Sequence, residues 1–90
     1  MLFRQILRAL GKTPEGKVKL RKILNENRNR MTDREFWLIE YTYLKRLSTL
    51  NISDKLGLSR SHYQNLMNST LAKFEAFIDK NTLLELVQML

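Results

Sequence analysis

The stretch STLNISDKLGLSRSHYQNLMN, residues 48–68, decides the fold. Ser48 is placed to cap a short helix that reaches Leu56. Gly57 supplies the left-handed backbone that a sharp turn requires. Ser59 caps a second helix, which the pattern continues to about Phe77. Ile52, Leu56, Leu58, Tyr63 and Leu66 fall where two such helices bury their shared core. Ser53 stands at their closest approach, where only a small side chain fits. This is the spacing of a helix-turn-helix, in which the first helix braces a second that can enter the major groove of DNA.

The rest of the chain also reads as helices. Upstream, Thr32 and Glu35 have the spacing of a capping box. The run Arg34–Leu47 contains no Gly or Pro, and Phe36, Trp37, Ile39, Tyr43, Leu44 and Leu47 give it a broad apolar face. Trp37 is expected in the core, and Tyr41 fits either core or surface. Leu2, Phe3, Ile6, Leu7 and Leu10 recur at helical spacing with Arg4 and Arg8 opposite, and Gly11 reads as the stop. Thr13-Pro14-Glu15 is a helix start. The helix it opens carries Val18, Leu20, Ile23 and Leu24 on its apolar side and runs to about Asn27. Residues 25–30, NENRNR, are polar throughout and read as a loop. Downstream, Thr82 and Glu85 have capping-box spacing before LLELVQML. No stretch reads as a strand. The expectation is an all-α protein, a small helical domain of about five to six helices. Three segments are distinguished: a basic helical segment at 1–30, the helix-turn-helix region at 31–80, and an apolar tail helix at 81–90.

Charge is distributed unevenly. The 90-residue chain has a formal net charge of +7. Residues 1–30 hold nine basic side chains and two acidic ones, so the first third carries the whole excess, while residues 31–90 balance at seven of each. Such a field favours a polyanion. The chain has no cysteine and one histidine, His62, which argues against a disulfide framework and a thiolate or histidine metal site. Asp33, Glu35 and Asp54 lie at helix starts without a nucleophile, so capping explains them better than acid–base chemistry. No cofactor and no enzymatic activity are expected. The first residues, MLFRQILRALGK, are broken by Arg4 and Arg8 and lack a secretory h-region. With no apolar run of membrane-spanning length, the expectation is a cytoplasmic protein.

The segment LGLSRSHYQNLMNSTLAKF resembles the carboxy-terminal DNA-binding region of bacterial sigma factors, which reads the −35 promoter element. It resembles more closely the ArpU and RinA type of phage late-gene activators. The matching residues are Gly57, Leu58, Ser59, Arg60, Ser61, Tyr63, Leu71, Lys73 and Phe74, and Thr32-Asp33-Arg34-Glu35 resembles the opening of the preceding helix. The resemblance covers roughly residues 32–78. It implies a sequence-specific transcription regulator of phage or mobile-element origin, acting on double-stranded DNA and in contact with RNA polymerase. This recognition helix departs from the pattern in carrying little charge.

At about 100° per residue, Tyr63, Leu66, Thr70, Leu71 and Phe74 turn inward while Arg60, Ser61, Gln64, Asn65 and Asn68 turn outward. Arg60, Gln64 and Asn65 are the candidate base readers, since Gln and Asn pair bidentately with adenine and Arg with guanine. Ser59, Ser61 and His62 are candidates for phosphate or sugar, and Asn68 lies on the same face. Phosphate attraction must come from elsewhere, and Lys17, Lys19, Arg21 and Lys22 in the basic first third are assigned to it. An alternative reading is a protein–protein module that docks on RNA polymerase or another regulator without reading DNA. The tail residues Leu83, Leu84, Leu86, Val87, Met89 and Leu90 fit either a fold-back or a homodimer seam. A membrane partner through the amphipathic residues 2–10 is the weakest of the readings.

Overall fold

Helix starts are set locally by hydroxyls and carboxylates. The computed structural model describes residues 2–90, and those residues form six α-helices and no strand. They are α1 (Phe3–Leu10), α2 (Pro14–Glu26), α3 (Asp33–Ile39), α4 (Thr49–Leu56), α5 (Arg60–Phe77) and α6 (Lys80–Gln88). Thr13 Oγ1 accepts from the Gly16 amide at 3.0 Å and starts α2. The capping box at α3 is complete: Thr32 Oγ1 accepts from the Glu35 amide at 3.2 Å and Glu35 Oε1 from the Thr32 amide at 2.8 Å. The tail helix begins earlier than its Thr82–Glu85 spacing suggests. Asp79 caps it, accepting from the Thr82 amide at 2.7 Å, so Thr82 lies inside the helix. Glu85 instead meets Lys19 at 2.8 Å. A carboxylate at the N-cap meets the free N–H groups more strongly than a hydroxyl one turn on.

The segment expected as one helix from Arg34 to Leu47 is α-helical only to Ile39, and its helical structure stops at Leu44. After Ile39 the chain widens into a π-helical turn, Glu40–Leu44, in which the Lys45 amide donates to Glu40 O at 2.9 Å. The turn ends at Arg46, whose φ of 54° is left-handed, and the Leu47 amide reaches back to Tyr41 O at 2.9 Å. Gly11 differs too. Its backbone is right-handed, so it is not a left-handed stop. A Cβ there would lie 2.2 Å from Tyr43 O, so glycine is needed for the close approach of α1 to the π turn.

One continuous core joins these elements. Phe3, Ile6, Leu7 and Leu10 of α1, Leu20, Ile23 and Leu24 of α2, and Leu38, Ile39, Ile52, Phe74 and Leu86 from the other helices are all buried in it. Phe3 meets Phe74 edge to face, with ring centroids 5.7 Å apart, which locks α1 against α5. Leu86 is fully buried, so α6 folds back on α1, while Leu84, Val87, Met89 and Leu90 stay exposed. The radius of gyration, 12.5 Å, is close to the roughly 12 Å of a compact domain of this length. Three residues expected on apolar faces lie outside it, the first being Leu2, the N-cap of α1, which is 67% exposed. Val18 is 71% exposed, because α2 turns Leu20, Ile23 and Leu24 inward instead. Trp37 is 39% exposed and stacks on half-buried Tyr41. No described helix is long and apolar enough to cross a membrane.

Candidate nucleic-acid interface

The candidate interface is built on α4, the turn after it, and the first half of α5. Ser48 Oγ accepts from the Asn51 amide at 3.2 Å and starts α4. Gly57 ends it at φ 65°, ψ 41°, and the Leu58 amide donates to Ser53 O at 2.8 Å. Ser59 Oγ then accepts from the His62 amide at 3.2 Å and starts α5. Ile52, Ser53, Leu58 and Tyr63 are buried between the two helices, with Leu56 and Leu66 half-buried at the edge. Met67 joins them in the core, a position the inward face of α5 also contains. Lys73, further along α5, pairs with Glu35 at 2.8 Å and so ties the helix to α3. Burial opposes ionisation of Glu35, but hydrogen bonds from Lys73 and the Thr32 amide outweigh it and hold its carboxyl below the ordinary range.

Ser59, Arg60, Ser61, His62, Gln64, Asn65 and Asn68 are all exposed, so the outward strip of α5 is as its periodicity predicts. Asn68 is the one member with a side-chain partner: Arg4 of α1 donates to its Oδ1 at 2.9 Å. Arg4 also lines a cleft of about 360 Å³ between α1, residues 42–49 and α5. Arg4, Arg8 and Arg46 line it together with Thr42, Tyr43 and Gln64, and no carboxylate does. Burial pushes the Tyr43 phenol up, against the fields of Arg4 and Arg8, so its hydroxyl stays a hydrogen-bond donor.

The four cations of α2 lie elsewhere, and none lines this cleft. Arg21 meets buried Glu40 at 2.9 Å and serves as its counter-ion. Lys19 is paired with Glu85, and Lys22 shares a second groove with Glu26, Arg30 and Asp79 near Phe77. Phe77 is the far end of α5, roughly 25 Å along the axis from Arg60. Lys17 is half-buried on α2.

No family model, curated protein or solved structure matches this chain.

Arg4 and Arg8 were legible as an i, i+4 pair opposite the apolar face of α1. Arg46 was not, because its place depends on the π turn and on a left-handed residue that no local signal announces.

A second surface carries exposed Trp37 with half-buried Phe36 and Tyr41. Trp37 and Tyr41 stack at 5.4 Å, with Lys45 at 5.5 Å and Lys55 at 6.0 Å from the Tyr41 ring. Arg28 lies 4.3 Å over the neighbouring Phe36 ring and also pairs with Asp33.

Proposed function

We propose that the protein is a sequence-specific regulator of transcription that binds double-stranded DNA by laying the first half of α5 in the major groove. The observation that carries this reading is the exposed polar strip of α5, held on a braced helix pair with its start capped and its inward face buried. Arg60, Gln64 and Asn65 are the base readers, and Ser59, Ser61 and His62 meet the sugar-phosphate backbone. The sigma-like residues from Gly57 to Phe74 favour a phage or mobile-element regulator that works beside RNA polymerase at a bacterial promoter, in the cytoplasm. The role is one of binding rather than catalysis.

Fluorescence anisotropy with duplexes chosen from a random pool tests it. Arg60→Ala and Gln64→Ala should each weaken the chosen site by roughly five- to a hundredfold, at about 1–3 kcal/mol per bidentate pair, and leave unrelated DNA little affected. Equal binding of all sequences, unchanged in both variants, would sink the reading.

A second reading draws on the Trp37–Tyr41 stack and the exposed apolar residues of α6. In it the domain docks on polymerase or another regulator and leaves DNA unread. Retention of purified polymerase after nuclease treatment, with no shift of any duplex, would favour that reading over the first.

A further inference from the structure

We propose that the cleft walled by Arg4, Arg8 and Arg46 is a phosphate site, which takes one backbone phosphodiester of the duplex whose bases α5 reads. The choice of duplex DNA as the source of that phosphate rests on the reading above; the anion chemistry of the cleft does not.

Three arginines converge on it from two separate segments, α1 and the end of the π turn. Among the described residues none of the three is paired with a carboxylate, although ion pairs engage Lys19, Arg21, Arg28 and Lys73 elsewhere. Planar guanidinium forks match phosphate oxygens bidentately, and Arg serves such sites better than Lys. Tyr43 lines the cleft as well, and its phenol, held protonated by burial, is a neutral donor.

Arg46 adds a separate argument. It occupies a left-handed backbone position, at φ 54°, that glycine would take without strain. Arg46 lines the cleft from this strained backbone position, and non-glycine residues in such conformations cluster at active sites and ligand clamps. Position completes the case. Gln64 is both a wall of the cleft and a member of the outward strip of α5. A phosphate held by the arginines therefore fixes the register of Gln64 against its base pair. Arg4 already has an acceptor in Asn68, at 2.9 Å, so it stands oriented toward α5 before any phosphate arrives.

The test uses the full chain and the double variant Arg8→Ala/Arg46→Gly, which keeps the left-handed turn and removes two guanidinium groups. Thermal unfolding first establishes that the variant is folded; if it is not, Arg8→Gln/Arg46→Lys replaces it. In the first arm, inorganic pyrophosphate is titrated against amide shifts. Saturable shifts at Arg8, Arg46 and Gln64, absent in the variant, are expected. Shifts spread evenly over Lys17 and Lys22 would overturn the site. In the second arm, single methylphosphonates are scanned along the selected duplex. One neutralised position should weaken the wild type roughly tenfold to a hundredfold and the variant hardly at all. If that position costs both proteins equally, the cleft proposal fails while the DNA reading stands, because the duplex still binds. If pyrophosphate saturates the cleft but no duplex is selected, the anion site stands, and DNA fails as its source together with the reading.

Discussion

Two basic rims flank α5, one at each end, and they differ in what balances them. Beside Arg60–Asn68, Arg4, Arg8 and Arg46 line a cleft without a carboxylate. Near Phe77, Lys19, Lys22 and Arg30 share their groove with Glu26, Asp79 and Glu85. Counted along the chain, α2, which supplies Lys19 and Lys22 to the second rim, looks the stronger basic element, since residues 17–22 alone hold four cations and no acid. Folding reverses the order. Glu40 and Glu85, distant in sequence, come to rest on Arg21 and Lys19 and cancel much of their field. The continuous run of positive charge is thus partly balanced by acids in the fold, whereas the scattered arginines of the cleft are not.

The comparison breaks most severely if α1 leaves α5. Phe3→Ala removes the edge-to-face contact with Phe74 and should cost about 3–5 kcal/mol in denaturant unfolding. Arg4 and Arg8 then lose their fixed place, and DNA affinity should fall with stability. A cost under about 1 kcal/mol would mean that α1 is not anchored as described.

Next comes the turn at the start of α5. Nothing lies within 4 Å of where a Cβ would sit on Gly57, so Gly57→Ala tests backbone conformation alone. It should cost about 1–2 kcal/mol, read as a fall in melting temperature. An unchanged melting temperature would contradict a required left-handed residue.

The far half of α5 is held to α3 by Lys73 and Glu35. The Glu35 carboxyl titrates below its ordinary 4.5, so its stabilisation is present above that value and is lost as pH falls through the lower, folded one. Glu35→Gln should therefore cost about 1–2 kcal/mol near neutral pH, a modest sum because Lys73 is partly exposed, and almost nothing at acid pH. Equal destabilisation at both would show that the charge is not what matters.

The smallest effect sharpens the contrast between the rims. Lys19→Ala/Lys22→Ala removes two cations from the balanced groove. Stability should stay within about 0.5 kcal/mol and affinity for DNA within about threefold. A larger loss of affinity than that of Arg8→Ala/Arg46→Gly would reverse the ranking of the rims.

Much of this fold was legible because the rules that make it are local. Thr13, Thr32 with Glu35, Ser48 and Ser59 each cap the helix that follows, and Gly57 takes the turn its position requires. The outward face of α5 follows from helical period alone. Most of the failures share a cause of longer range. Trp37 and Val18 have apolar side chains, but which face of a helix is covered is settled by neighbours far away in sequence. The tail helix is capped by Asp79 rather than Thr82 because two plausible caps lay a turn apart. The π turn and the left-handed Arg46 leave no periodic trace. The cleft therefore stayed out of sight, since it needs residues 4, 8, 46 and 64 together.

The most direct test of the account is selection from a random duplex pool, run in parallel with the wild type and with Gln64→Ala and Asn65→Ala. One enriched site is expected for the wild type, with each variant losing preference at a single base position and keeping the rest. An unenriched pool, or the same site returned unchanged by all three proteins, would contradict base reading by α5.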